Sequence, residues 1–568
     1  MRCSLGRSTL LALGAAVLAG CGVQAPGQQD TRNASEALPA PALAPAPPPP
    51  PVPFSAYAPQ RVTVTGSTIA APAMQKRAPG PGFIVIAPPQ ADKFPDKEAN
   101  ATQLVAEHPV STFSADVDTA SYAFVRRLLT GGHLPPPGAV RVEEMVNYFP
   151  YRYAGPRTRN EPFAIATEVM PSPWKPGNQL LHVAVRGFDL VQAERPPLNL
   201  VLLIDVSGSM GGPDRLPLLQ QGLRLFAENL RDTDRVAIVT YANGTEVALE
   251  PTLGRDKRKI VDALDGLRAA GATAGGDGLQ RAYALAERNR DPKAVNRVIL
   301  ATDGDFNVGI TDPKQLERFI ADKRKSGVYL SVFGVGTGNL NDALIQRLTQ
   351  SGNGNAAYID SLLEARKAMQ EELGSTMFPI ANDVKMQVEF NPRQVAAYRL
   401  IGYETRMLAR QDFKDDKVDA GDMGAGHTVT AIYEITPALE AGKLVDPLRY
   451  GDNKQAAPAA NGDELCFVKV RYKLPGQTAS RESAHAVRAA SVRKEFAAAP
   501  EDARFAVAVA AFGQRLRGET PLADYGYAEI AALANEARGK DAEGYRAEFV
   551  RLVRMAEALG KTSPVGQP

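Results

Sequence analysis

Between residues 198 and 377 short apolar runs alternate with stretches in which apolar side chains recur every three or four positions. The runs at 198–204, 236–241, 297–301, 328–335 and 357–359 read as buried strands, and the stretches at 216–230, 257–267, 277–287, 313–325, 342–350 and 362–377 as helices. In the first of these helices Leu216, Leu219, Leu223, Phe226 and Leu230 share one face, so it packs on a sheet rather than standing free. Such alternation predicts an α/β fold: a doubly wound, mostly parallel, Rossmann-like sheet covered by helices on both sides.

The flanks follow another pattern. Upstream, helical spacing over 121–130 stops at Gly131-Gly132, and a second helix runs through Val142, Met145, Val146 and Phe149. Two strand-like runs, 163–169 and 180–185, follow, joined by the turn-rich segment 171–177 as in a hairpin. Downstream of Pro379, strand patterns return at 384–390, 398–403, 428–435 and 466–472, and the chain ends in helical stretches at 501–516 and 528–559. Strands on both sides suggest that the α/β unit is inserted into one β domain, those before it pairing with those after it. The expected segments are 1–20, 21–105, 106–195 (helices then strands), 196–380 (the α/β domain), 381–475 (β-rich) and 476–560 (helical).

Residues 1–20 read as an export signal: Arg2 and Arg7, the apolar stretch 10–18, then Leu18-Ala19-Gly20-Cys21. That last tetrad resembles the lipobox of bacterial lipoproteins, which implies lipid on Cys21 and a membrane anchor. Gly22, in place of the aspartate that the sorting rule links to inner-membrane retention, implies the outer membrane, facing either side. The Ala- and Pro-rich stretch that follows, with an unbroken proline run at 47–51, cannot bury a core and predicts an extended tether. At ~3.1 Å per residue, some 40 such residues reach on the order of 100 Å. The short runs 61–66 and 83–86 are weak strand candidates within it. Cys3 leaves with the signal, so Cys466 has no partner for a disulfide. Lys+Arg 65 against Asp+Glu 63 leaves no field of one sign to attract nucleic acid.

The chemistry lies in Asn199-Leu-Val-Leu-Leu-Ile-Asp205-Val-Ser207-Gly-Ser209-Met, an apolar strand ending in a carboxylate and two hydroxyls at alternate positions. In an open parallel sheet, ligands bind at the carboxyl ends of strands. Oxygen ligands alone suit a hard cation such as Mg²⁺. Two more oxygens come from other loops: Thr273 in the glycine-rich 271–276, and Asp303 directly after a predicted strand.

With Asp-x-Ser-x-Ser at 205–209, the threonine loop at 273 and Thr-Asp-Gly at 302–304, the chain resembles the von Willebrand factor type A family. The three motifs are that family's metal-ion-dependent adhesion site. The resemblance implies direct coordination by Ser207 and Ser209, with Thr273 joining when ligand is bound, and Asp205 and Asp303 acting directly or through water. Ser114-Ala-Asp-Val-Asp-Thr-Ala-Ser-Tyr122, Val142-Glu-Glu-Met-Val-Asn-Tyr-Phe149 and Leu300-Ala-Thr-Asp-Gly-Asp-Phe-Asn-Val-Gly309 extend it to the bacterial YfbK-type lipoproteins, over residues 108–560.

These residues imply a non-enzymatic module that grips an Asp or Glu of a protein partner through Mg²⁺, with Mn²⁺ or Ca²⁺ as alternatives. A metal-dependent hydrolase and an envelope scaffold stapled by metal are the competing readings. Against the hydrolase stands the lack of Gly-x-Ser-x-Gly, His-Glu-x-x-His and P-loop motifs. Gly334-Val-Gly-Thr-Gly338 reads as a tight turn rather than a dinucleotide fingerprint, and the aspartates at 412–422 as a solvated loop without EF-hand spacing. Asp116 and Asp118 read as helix caps rather than a second cation site.

Overall fold

The computed structural model describes residues 92, 94, 97–158, 161–191, 194–272, 277–304, 312–338, 340–372, 377–418, 420–443 and 462–562. The candidate strands at 61–66 and 83–86 lie outside them, as does Cys21. The strands are β1 Gln103–Leu104, β2 Val110–Ser114, β3 Phe163–Pro171, β4 Gln179–Gly187, β5 Leu198–Asp205, β6 Arg235–Tyr241, β7 Thr245–Leu253, β8 Val295–Thr302, β9 Val328–Val335, β10 Ala356–Ile359, β11 Pro379–Phe390, β12 Val395–Ile401, β13 Met407–Leu408, β14 Met423–Gly424, β15 Thr428–Pro437, β16 Glu464–Lys473 and β17 Ser480–Arg488.

The α/β unit is a sheet in the order β10-β9-β8-β5-β6-β7, parallel except for β7. All eight residues of β5 are buried because both faces of the sheet are covered. Leu200, Leu202 and Ile204 pack with Leu219 and Leu223 of the helix Leu216–Glu228 and with Ile260 and Leu264 of Lys257–Gly266. Val201 and Leu203, pointing the other way, meet Leu279, Ala282 and Tyr283 of Gly278–Arg288 and Leu316 and Ile320 of Pro313–Lys325. The helix expected over 362–377 is shorter: Leu362–Arg366 passes into wide turns over Lys367–Glu372.

The strands outside this unit form two antiparallel sheets, β1-β12-β15-β4-β3 and β13-β2-β11-β16-β17, the second also carrying β14 on β11. Their inner faces share one core, in which Val183, Tyr433 and Leu400 meet Phe113, Met386 and Val468. β4 pairs with β15 and β2 with β11, so strands on either side of the α/β unit interlock as the insertion pattern suggests. Outside the first sheet, the helices Ala120–Thr130, Val142–Asn147, Glu501–Arg517, Tyr527–Glu536 and Tyr545–Thr562 pack on Met170, Leu180, Ile401 and Ile432.

Six strands have no counterpart in the sequence pattern, three of them, β1, β13 and β14, only two residues long. β7 alternates exposed Glu246 and Glu250 with half-buried neighbours on a sheet edge, β17 is mostly polar, and β2 is too short to show a period. Order also begins before residue 105, through polar anchors rather than apolar periodicity. The Asp92 carboxylate accepts from Gly338 N and Leu340 N, and Asn100 donates to Leu400 O and Gly402 O.

Candidate functional site

In the order β7-β6-β5-β8-β9-β10 the chain leaves β5 toward one edge and β8 toward the other, so β5 and β8 flank the crevice at the switch point. They run parallel with Ile204 opposite Ala301, which brings Asp205, at the end of β5, beside Thr302 and Asp303, at the end of β8. The sequence motif therefore sits where the topology opens a pocket.

Asp205 has no exposed surface, and Ser207 and Asp303 are about 1% exposed. One Asp205 oxygen accepts from Ser207 N at 2.8 Å, folding the loop so that Ser207 Oγ and Ser209 Oγ stand 3.0 Å apart. Burial raises the Asp205 carboxyl above its ordinary range, the Ser207 bonds oppose that, and the nearby Asp303 charge adds to it. Among the described residues, Asp205 Oδ2 and Asp303 Oδ1 are buried without a hydrogen-bond partner of normal geometry. Two buried carboxylate oxygens left unpaired beside two neutral hydroxyls are short of positive charge, and a hard divalent cation fits that deficit.

Thr273 lies outside the described residues, but the chain leading to it is fastened to the motif loop. Ala270 N donates to Val206 O and Gly208 N to Gly271 O, each at 2.8 Å, and Ala272 N donates to Asn243 Oδ1 at 2.7 Å. Gly271 has φ +85°, and a Cβ there would stand 2.5 Å from the Asn243 amide nitrogen, so no other residue suits this junction.

Two residues absent from the motif complete the surroundings. Tyr241, at the end of β6 and wholly buried, faces Asp205 and Thr302. Arg215 donates to Asp303 Oδ2 at 2.9 Å, to Ser209 O, and to Thr337 O at 3.0 Å, so one guanidinium ties three site loops together. Gly336, at φ +73°, makes room, since a Cβ there would come within 2.4 Å of Arg215 Nε. Arg215 also precedes the helix Leu216–Glu228, where the helix dipole disfavours a cation, and that misplaced charge is the signal by which sequence could have flagged it.

Asp116 and Asp118 cap no helix by side-chain bonds: they bind Arg406 instead, and Asp118 also accepts from Ala356 N. The turn at 334–338 is where Gly336 and Gly338 take positive φ.

Residues 200–305 match the family described as von Willebrand factor type A domain, residues 88–182 one described as von Willebrand factor, and residues 375–559 one described as Uncharacterized protein YfbK, C-terminal. The uncharacterized protein YfbK of Escherichia coli (strain K12) is 44% identical over 487 residues, covering 84% of this chain and 82% of the relative. Inter-alpha-trypsin inhibitor heavy chain H2 of Sus scrofa is 23% identical over 197 residues, 33% of this chain and 21% of that protein. Among solved structures, a von Willebrand factor type A protein from Catenulispora acidiphila covers 72% of this chain and 91% of its own, at 18% identity and a TM-score of 0.39. By its likeness to the Escherichia coli protein along most of both chains, the protein belongs to the YfbK family, built around a von Willebrand factor type A domain.

Proposed function

We propose that this protein is a non-catalytic binding module that holds a divalent cation, Mg²⁺ foremost, on Asp205, Ser207, Ser209, Thr273 and Asp303, and through it grips a carboxylate of a protein partner. The observation that carries this reading is a pair of buried oxygens, Asp205 Oδ2 and Asp303 Oδ1, that no cation meets among the described residues, at the switch-point crevice. Two carboxylates balance a doubly charged ion, and Arg215 beside Asp303 adds one positive charge, so the cluster attracts an external Asp or Glu. Ser209 is half-buried and gives the crevice its way out. Arg215 holds Asp303 from one side, which keeps that carboxylate aimed while its other oxygen remains available.

On this reading a lipid on Cys21 and the proline-rich stretch behind it hold the module at the outer membrane while it reaches for its partner. Among the described residues, neither Asp205 nor Asp303 is hydrogen-bonded to a histidine or a third acid that could serve as a proton acceptor, which favours binding over hydrolysis. The test is affinity capture from envelope extract with Mg²⁺ and with EDTA, using the natural chain and Asp205→Ala. A partner retained only with Mg²⁺ and only by the natural chain supports the reading, and equal retention in EDTA overturns it.

A further inference from the structure

The buried arginines Arg126, Arg141, Arg399, Arg406, Arg504 and Arg546 each lie within ion-pair distance of a carboxylate. Arg297 does not, among the described residues, although it is only 2% exposed. Its Nη1 donates to Ser331 Oγ at 2.5 Å, its guanidinium lies 5.7 Å from the centre of the Tyr329 ring, and its Nε has no hydrogen-bond partner among the described residues. Burial pulls this guanidinium down to about 10. A buried charge of this kind is costly unless an acid meets it.

Arg297 stands near the start of β8, the strand whose far end leads to Asp303, and lines a cavity of about 170 Å³. The α/β unit contributes Tyr329 and Asn355 to the wall; the sandwich side contributes Asp116, Thr405 and Asp422. None of the wall's acids lies within ion-pair distance of Arg297 among the described residues: Asp116 pairs with Arg406 at 2.8 Å, and Asp422, whose charge reaches Arg297 through space, accepts from Asp383 N and Asn353 Nδ2 at 3.2 Å each. Their charge favours a singly charged guest over a phosphate dianion. The edge of a guanidinium formed by Nε and Nη2 is the fork that a carboxylate takes with two parallel hydrogen bonds.

We propose that this cavity binds a small monocarboxylate, acetate to lactate in size, which supplies the acid that Arg297 lacks and fastens the α/β unit to the sandwich. The site is separate from the adhesion crevice, at the other end of the sheet.

The test is titration of the full chain with sodium lactate at constant ionic strength, followed by calorimetry and by melting temperature. The expected result is saturable binding with a rise in melting temperature, at least tenfold weaker in Arg297→Met and unchanged in the exposed Arg258→Ala and on adding EDTA. Should Arg297→Met fold poorly, Asn355→Asp decides: an acid on the cavity wall is expected to remove the lactate response. No saturable response in the natural chain, an undiminished response in Arg297→Met or Asn355→Asp, or tighter binding of inorganic phosphate than of lactate overturns the proposal.

Discussion

At Asp205 and Asp303 two acids share a crevice; the Tyr241 hydroxyl faces the first, and among the described residues no cation meets Asp205 Oδ2 or Asp303 Oδ1. Asp303→Ala removes one of those buried anions together with the Arg215 pair. The domain is therefore expected to fold, while any rise in melting temperature on adding Mg²⁺ disappears; a rise equal to that of the natural chain would count against the site. The convergence of Asp205, Ser207, Ser209 and Asp303 is legible in sequence because each sits at a strand end or in the loop directly after it, so that local pattern and topology coincide. Arg215 and Arg297 are not. Their importance comes from what they meet or fail to meet at residues far along the chain, Asp303 and Thr337 for the first, a cavity wall for the second, and no local period encodes that.

Elements were legible in proportion to how completely they are buried. β5, β8 and β9, covered on both faces, appear as apolar runs, and the helix Pro313–Lys325 follows its spacing from end to end. β7 and β17 are edge strands with charged outer faces, so nothing in their composition distinguishes them from loops. Leu203, wholly buried at the centre of β5, is the place to measure what double coverage contributes: Leu203→Ala is expected to cost about 2–5 kcal/mol in denaturant unfolding. A loss below about 1 kcal/mol would mean that the site's platform is looser than its packing implies. The interlocking of strands around the insertion has its own check. Arg493 N donates to Val169 O, and the side chains of Arg493 and Glu168 pair at 2.9 Å. Cysteines in place of Glu168 and Arg493 should crosslink through a short bis-maleimide, and failure to do so in the folded protein would contradict the pairing.

On the scale of the whole molecule, buried ion pairs join segments distant in sequence. Arg126 reaches Asp360 and Glu364 of the α/β unit and Glu548 of the C-terminal helix, and Arg141 reaches Asp342. Arg126→Met leaves these acids without their cation and is expected to cost about 3–5 kcal/mol, since breaking a buried pair strands the remaining charge. Burial pushes Asp118 up to about 8 and Glu143 to about 7, and pulls His182 down to about 4. A carboxyl raised in the fold keeps a proton that the unfolded chain has lost; its contribution is whole below the unfolded value and is lost as pH rises through the folded one. His182 works in the opposite sense, but its effect is complete by about pH 6.5. Melting temperature is therefore expected to fall from pH 6.5 to 8.5, with a shallower slope in Asp118→Asn; a flat or rising natural profile would refute the assignment. The claim on which the functional account depends is that the crevice between β5 and β8 holds a hard cation. Its most direct test is calorimetric titration of the chelator-treated chain with Mg²⁺, beside Asp205→Ala. The account predicts one saturable site in the natural chain and none in the variant, and no binding to the natural chain, or equal binding to both, would contradict it.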